Sequence, residues 1–483
     1  MGEIQSTLFA LEFNRSIHVE SRGERLSGDA GGLLVREVYS RLHLEEFFEQ
    51  HLVDPRHPGL ITHPQSELLR THLFLLAQGW QDANDATALR EDPVFRLGVS
   101  NRRGLSALET PPEGTAVPDG LASQPTLSRL VGRLSSGGQR RVLREGLFQA
   151  AARRLRASRG HRLRYATLDV DSLPQEVYGR QAGSQYNGHY RVRCYHPLVA
   201  MVAETGDLLD MRLREGNVHT ADGALEFILP LIERMERDLC QVASVRMDAG
   251  FPEEGLLAGL EQREVGFVAR LRKNPRLEGL VSAPVQAGQP GQDTPRETFQ
   301  ELVYQADAWS RPRRVVAVFQ QQPDELFPHC FFLLTNWSAE QMSAAALLSL
   351  YRQRGTAEAH FGELKSVLDP SLSSTRRPKS HYRGQDPKRR YVSTDPFAAN
   401  EVKLLLNALA YALVHAVRTL MEKATGEGWG LRRVLERVLK VPARLLRHSR
   451  RIVVVLTPAA AAMWAKLWRV LHSWRWIPPP QSA

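Results

Sequence analysis

The chain has few cysteines and no long apolar run, and both absences limit the class of protein it can be. Its three cysteines, Cys194, Cys240 and Cys330, are isolated in the sequence and form neither a CxxC pair nor a disulfide framework. This pattern is typical of a reducing compartment and offers no cysteine-based metal site. No uninterrupted apolar stretch is long enough to span a bilayer, and the first residues lack a basic region followed by an apolar one. We therefore expect a cytoplasmic protein with no membrane partner.

Acidic residues are outnumbered by basic ones, 53 Asp and Glu against 63 Lys and Arg, which leaves a formal charge of +10. This balance favours a polyanionic partner, although basic enzymes without a nucleic-acid partner are common. With 483 residues, of which 42% are hydrophobic and 24% charged, the chain is long enough for two to four domains with substantial cores.

The hydrophobic periodicity changes near residue 160. Residues 1–160 predict a helical region after a short extended start, because apolar residues recur at helical spacing in 29–43 and again in 65–80. From residue 164 onward, RYATLDVDS, HPLVAMVAE and LLDMRLREG alternate as three strands. Helices then alternate with two further strands, VASVRMDAGF and VGFVARLRK. This order predicts an α/β fold with an RNase H-like core, whose first part is 161–273.

Acidic residues lie where such a core gathers carboxylates. Asp169 and Asp171 are two apart on the first strand, so they lie on the same side of it. Asp248 ends the fourth strand, just before Gly250. A turn-forming aspartate is the simpler interpretation of Asp248 alone. Together with Glu358, on a late helix, these acids predict a catalytic site.

The stretch YRQRGTAEAHFGELK, residues 351–365, predicts a helix with one polar face. Tyr351, Arg354, Glu358 and Lys365 fall within about 60° of one another at roughly 100° per residue. A phenol, two cations and a carboxylate on one face suit a phosphodiester. The alternative is a solvated face with salt bridges. Gly355 lies inside this helix and is expected to cost about 1 kcal/mol relative to alanine.

The spacing Tyr-x2-Arg-x3-Glu-x6-Lys resembles the signature of a large group of bacterial insertion-sequence transposases, the DDE enzymes. The resemblance implies that Asp171, Asp248 and Glu358 are the catalytic acids and that Tyr351, Arg354 and Lys365 position phosphates. Segments near the N-terminus, GDAGGLLVREV, LITHPQSELLR, GWQDANDATALREDP and LASQPTLSRL, resemble the same enzymes. There the corresponding region, here 1–160, binds the terminal inverted repeats.

The resemblance also implies a β-rich insertion, here 274–328, in which an aromatic residue receives a base flipped out near the cleavage point. Trp309 is the candidate, with Trp337 as a second choice, although packing in a core or hairpin is the commoner role of such a tryptophan. The second part of the core is then 329–395, with the signature helix and a basic loop. The loop either tracks phosphates or is merely solvated, and its candidate DNA contacts are Arg376, Arg377, Lys379, Arg383 and Arg389.

The C-terminal region, 396–483, predicts helices around a strand, RIVVVL. Its apolar stripes serve either core packing, the safer interpretation, or contacts in a homodimer.

If the three acids converge, they are expected to hold two Mg²⁺ ions, with Mn²⁺ as a substitute, since these ions prefer oxygen ligands. We take Asp171 as the first acid because Ser172 follows it, as in the related enzymes, and Asp169 as an additional ligand. Such a site would cut double-stranded DNA at the element's ends and join the freed 3′-hydroxyls to target DNA, in the bacterial nucleoid. Two alternatives remain open: a transposase derivative that binds DNA without catalysis, and an RNase H-like nuclease that never joins strands.

Overall fold

The computed structural model describes residues 7–20, 22–113, 120–157, 163–281, 296–322, 328–368, 370–374, 395–449 and 451–474. Within them the protein is a mixed α/β structure with one large sheet and two groups of helices.

The N-terminal region is helical after a short β-hairpin, as its periodicity predicts. The hairpin and the strand that follows it are β1 (Thr7–Leu11), β2 (Asn14–Glu20) and β3 (Arg25–Ser27). The helices are α1 (Gly32–Arg41), α2 (Leu44–His51), α3 (Gln65–Ala77), α4 (Ala86–Leu89), α5 (Pro93–Val99), α6 (Gln124–Leu134) and α7 (Gly137–Ala157). Short 3₁₀ turns occur at Pro58–Leu60, Ala83–Asp85 and Gly104–Leu108.

The middle of the chain supplies the strands. They are β4 (Tyr165–Ser172), β5 (Gln175–Glu176), β6 (Gln185–Asn187), β7 (Val192–Tyr195), β8 (Leu198–Val202), β9 (Leu208–Arg212), β10 (Gln241–Met247), β11 (Gly266–Leu271), β12 (Arg296–Tyr304), β13 (Arg313–Gln321) and β14 (His329–Thr335). Between them lie α8 (Leu225–Asp238), α9 (Glu254–Gln262) and α10 (Pro275–Gly279).

Eight of these strands form the large sheet, in the order β12-β13-β14-β11-β10-β4-β8-β9. The first three predicted strands are present as β4, β8 and β9, and β8 pairs antiparallel with both β4 and β9. β10 pairs in parallel with β4 on one side and with β11 on the other. The short strands form a separate sheet, β5-β7-β6.

The two strands expected in 274–328 are present, and they continue the large sheet. β13 pairs antiparallel with β14 over seven residues, and β12 pairs with β13 over nine. The apolar residues of β13 are buried, and this burial explains why the hairpin docks on the sheet edge.

The C-terminal part contains the remaining elements, α11 (Ala344–Arg352), α12 (Arg354–Val367), α13 (Pro396–Thr425), α14 (Leu431–Val434), β15 (Ala443–His448), β16 (Arg451–Leu456) and α15 (Pro458–His472). A π-helical turn spans Leu435–Leu439. The predicted strand RIVVVL is confirmed as β16. The residues before it form strand β15, which pairs with both β16 and β3.

The signature stretch is two helices, and the prediction of one continuous helix was wrong. The break falls at Gln353, between α11 and α12. Arg246 donates hydrogen bonds there, to the Leu350 carbonyl (3.0 Å) and to the Gln353 side chain (3.3 Å). Gly355 follows in the next turn, where its low helix propensity reduces the cost of a break.

α13 packs against the helices α3, α7 and α15 and against strand β9. We call this group of helices around α13 the helical layer. By length and hydropathy α13 could cross a membrane, a property the sequence analysis did not single out. However, 94% of its apolar window is buried inside the protein. We therefore assign α13 to the core, where its neighbours already cover it.

Candidate active site

The site begins at the centre of the sheet, where two parallel strands end side by side. Arg246 on β10 lies level with Asp169 on β4, so two residues further along each strand come Asp248 and Asp171. Asp248 accepts a hydrogen bond from the Gly250 backbone N–H (2.8 Å), which closes the turn after β10. Gly250 is needed there because a Cβ would lie 2.6 Å from Thr220.

Arg354, the first residue of α12, connects the first acid with the third. It donates to Asp171 Oδ2 (2.7 Å) and, one turn along its own helix, to Glu358. The Asp171 and Arg354 side chains are each 13% exposed, whereas Glu358 is 57% exposed. The guanidinium therefore lies between a buried and an exposed carboxylate, where it partly neutralises both.

The pKa of Asp171 shows that the three acids share one electrostatic environment. Burial raises this pKa to about 6, the charge of Arg354 opposes the shift, and the charges of Asp248 and Glu358 add to it. Such a cluster of like charges favours a bound cation.

Asp169 has a different partner. It accepts two hydrogen bonds from Arg246, each 2.6 Å long, and both side chains are only 2% exposed. Burial raises the pKa of Asp169, and the Arg246 hydrogen bonds oppose that shift. Asp169 thus holds Arg246, which in turn contacts the junction between α11 and α12. Nothing in this arrangement directs Asp169 toward a metal.

The break at Gln353 separates the signature residues. Tyr351 is half-buried at the end of α11, where burial raises its pKa and the charges of Asp248 and Glu358 still act on it. Lys365 lies in the last turn of α12 and is partly exposed. Of the four signature residues, Arg354 and Glu358 are therefore bonded directly into the acid cluster, and Tyr351 lies within its electrostatic reach.

Comparison with known proteins identifies the family. A family model described as transposase DDE domain group 1 matches residues 9–383 and 384–474, nearly the whole chain. The chain belongs to this transposase family. A search of curated proteins finds no match. Among solved structures, a cryo-EM structure of the piggyBac transposase synaptic complex with hairpin DNA is similar over 92% of this chain and 80% of that chain, at 12% sequence identity and a TM-score of 0.39.

DDE transposases generally use divalent metal ions, and the donor chemistry of this transposase fits such an ion. Asp171, Asp248 and Glu358 offer only oxygen ligands, which Mg²⁺ prefers. The Arg354 guanidinium already stands as a cation between two of them. Within the described residues, no three His, Cys, Asp or Glu side chains lie close enough to hold a metal as they stand. In this arrangement Arg354 therefore occupies carboxylate oxygens that a metal ion would use.

Sequence reasoning missed the position of Tyr190 in the transposase. It follows β6 in the connection to β7. Its ring packs edge-on against the His196 ring, with 5.6 Å between the ring centroids. Burial raises the pKa of Tyr190, and the charges of Asp171 and Asp248 raise it further. The phenol thus lies beside the acids, and no spacing rule in the sequence signalled it.

Arg246 was also missed, although an arginine inside a buried strand, level with an acid on the first strand, is a signal that could have found it. The structure shows it fully buried, and its bonds join β4, β10 and the start of α12.

Trp309 lies apart from these residues, in a turn after β12. It is 6% exposed, packs edge-on against Tyr304 (5.7 Å between ring centroids) and carries the Arg313 guanidinium over its ring (5.2 Å). These contacts fit the alternative role named for Trp309, which is packing in a hairpin. Trp337 is half-buried against Gly266. The basic-loop candidates lie outside the described residues, namely Arg376, Arg377, Lys379, Arg383 and Arg389.

A buried polar network anchors the far half of α12. Arg418 on α13 donates to Glu363 and approaches His360 Nδ1 at 3.0 Å, both on α12. Glu363 also accepts from the Leu431 backbone N–H (2.8 Å). The end of α12 is thereby fixed to the helical layer, while its first turn reaches the acids on the sheet.

Proposed function

We propose that this protein is a cut-and-paste DNA transposase of a bacterial insertion sequence, with an RNase H-like core. It binds the terminal inverted repeats, cleaves the element's ends and joins their 3′-hydroxyls to target DNA. The observation that supports this most is that one guanidinium, that of Arg354, bonds both Asp171 on a strand and Glu358 on a helix, while the charge of Asp248 acts on Asp171. Family membership supports the reaction class.

Asp171, Asp248 and Glu358 are the residues proposed to hold two Mg²⁺ ions, which Mn²⁺ can replace. When bound, these ions supply Lewis-acid activation of the attacking and leaving oxygens. Arg354 grips the phosphate next to the scissile bond, because a guanidinium binds two phosphate oxygens at once. Tyr190 and Tyr351 border the same space and orient the backbone by hydrogen bonding.

The proposed partners are double-stranded DNA, as terminal repeats and as target, and a second copy of the chain in the synaptic complex. The formal charge of +10 supports a polyanionic partner. The helical region 1–160 is proposed to bind the repeats, and the protein to act in the cytoplasm, at the nucleoid.

One observation favours a second function, DNA binding without catalysis. Arg354 occupies the space between two of the acids, and the described acids do not form a ready metal site. If DNA does not draw Arg354 away, the protein binds the element's ends and leaves them intact.

The test is strand cleavage and joining on a duplex that carries the element's own end, read from the DNA flanking the gene. With Mg²⁺ the wild type should give 3′-hydroxyl ends and joined products, and with EDTA neither. Asp248→Asn should bind the duplex and do neither. Asp307→Asn is the matched control, since its side chain is 99% exposed and bonded to Arg276, and it should behave as wild type.

Binding without cleavage under any divalent ion would support the second function instead. Cleavage without joining would point to a nuclease. Failure of the wild type to prefer the element's end over unrelated DNA would overturn the transposase proposal.

A further inference from the structure

A groove of about 520 Å³ opens beside the acids, between α11, α12 and the strands β11, β13 and β14. Its walls include Arg270, Lys273, Phe331 and Arg352, and at one end Tyr351, Arg354 and Glu358. We call this the sheet groove. Its end wall contains Arg354 and Glu358 of the acid cluster. A ligand that fills the groove therefore also reaches the acids.

The sheet groove is strongly basic. Two arginines and a lysine join Arg354 in its wall, and Glu358 is the one carboxylate among the described residues that line it. Arg352 is bonded to Glu297 at the rim. Arg270 and Lys273 are exposed, so their charges are accessible to a ligand that enters the groove.

Strand register places Arg270 next to the acids. Met247 on β10 lies level with Ala269 on the parallel strand β11, so the next residue on each strand, Asp248 and Arg270, continues the pair. In-register residues of adjacent parallel strands point to the same face of the sheet. The Arg270 guanidinium therefore lies on the face that carries the carboxylates.

The aromatic surface of the groove is already covered. The Arg270 guanidinium lies over the Phe331 ring, 5.2 Å from its centroid. This stacking holds the cation in place and leaves that ring face unavailable to a base. Recognition in the groove is therefore electrostatic and directed at phosphates, which carry no sequence information.

The groove lies toward the edge of the large sheet that is opposite β9. β9, at one edge, packs against α7 and α13, whereas the groove is formed by the strands beyond β10. If the helical region holds the element's end, a strand that crosses the acids leaves the protein through the groove.

We propose that the sheet groove binds the sugar-phosphate backbone of the flanking DNA, the strand that continues past the scissile phosphodiester, through Arg270 and Lys273. This inference rests on the proposed function and adds a binding site to it. The contact is independent of the flanking sequence and is lost once the flank is released.

The test compares Arg270→Gln/Lys273→Gln with a matched double variant, Arg272→Gln/Arg276→Gln. The control removes the same charge from exposed positions of the same segment that do not line the groove. Binding is measured in EDTA by fluorescence anisotropy over a range of salt concentrations. One DNA continues past the cleavage position and one stops at it. All four side chains are at the surface, and thermal unfolding checks that the variants fold.

On the longer DNA, we expect the groove variant to bind on the order of tenfold more weakly than the control and its salt slope to fall by about 1.4 to 1.8, the loss of two phosphate contacts. On the shorter DNA the two variants should bind equally. Equal binding on the longer DNA, or an equal difference on both DNAs, overturns the inference. A wild type that does not prefer the element's end defeats the proposed function instead, so the two failures are distinguishable.

Discussion

Arg354 determines the electrostatic state of the acids. Its guanidinium bonds Asp171 and Glu358 at once, and its charge opposes the rise in the pKa of Asp171 that burial causes. A metal ion and this guanidinium compete for the same carboxylate oxygens. We infer that a DNA phosphate, which attracts the guanidinium, makes the acids available to metal.

This competition predicts that Arg354→Gln binds Mn²⁺ more tightly than wild type when DNA is absent. Removal of this cation leaves Asp171 and Glu358 without their guanidinium partner, and about tenfold tighter binding corresponds to only about 1.4 kcal/mol. Electron paramagnetic resonance of free Mn²⁺ measures the affinity. DNA cleavage by the same variant should fall, because the phosphate contact is lost.

Arg352→Gln is the control for this measurement, since Arg352 is two residues away and bonds Glu297 instead. Its Mn²⁺ affinity should equal that of wild type. Equal affinities of Arg354→Gln and wild type would show that the guanidinium does not block the acids.

At the scale of elements, the position of α12 depends on the turn between β8 and β9. Gly206 in that turn has a φ of +71°, and a Cβ there would lie 2.7 Å from His360 Nε2 on α12. His360 is two residues beyond Glu358 and next to Arg418. The turn therefore supports α12 at the point where the network on α13 holds it.

Gly206→Ala should lower both stability and the rate of strand cleavage. A non-glycine residue at positive φ costs about 1–2 kcal/mol, and the methyl group would also push His360 and shift Glu358. Gly179→Ala is a matched control, because Gly179 has a φ of +74° and nothing within 4 Å of its Cβ position. Thermal unfolding and cleavage rate are measured on both variants. If the two lose the same stability and keep the same rate, the turn does not position α12.

At the scale of the whole molecule, the helical layer buries ionisable groups that make folding depend on pH. His72 on α3 is buried among apolar residues of the N-terminal helices, and its Nδ1 has no hydrogen-bond partner in the described part of the chain. Burial lowers the pKa of His72 to about 4, and the nearby charge of Lys403 on α13 lowers it further. The unfolded chain therefore takes up this proton more readily than the folded one.

The direction of the pH dependence follows from the difference in proton binding between the folded and unfolded chains. Since the unfolded state binds the proton below about pH 6.5 and the folded state only near pH 4, stability is lost as the pH falls between these values. From pH 7 to pH 5, His72 alone should reduce the free energy of unfolding by about 2 kcal/mol. His72→Leu should remove this share of the pH dependence in urea unfolding. His18→Leu, at an exposed histidine, should leave the slope unchanged, and an unchanged slope in His72→Leu would contradict the argument.

The sequence by itself determined much of the fold, because its signals are local. Alternation marked the strands, and spacing placed Asp171 and Asp248 at strand ends, where register then joined them. The resemblance at residues 351–365 identified the transposase family before any contact was known. Helix boundaries that depend on distant residues were less predictable. The break at Gln353 is an example, because Arg246, which bonds the Gln353 side chain, lies on β10.

Only the tertiary structure decided which charge meets which. Asp169 and Asp171 look equivalent on their strand, yet one is bonded to Arg246, 77 residues away, and the other to Arg354, 183 residues away. Trp309 packs within a hairpin, and Tyr190 lies near the acids. Periodicity reports which face a side chain lies on, but its partner depends on how distant elements pack. The composition of the site was therefore readable in the sequence, and its electrostatic state was set by the fold.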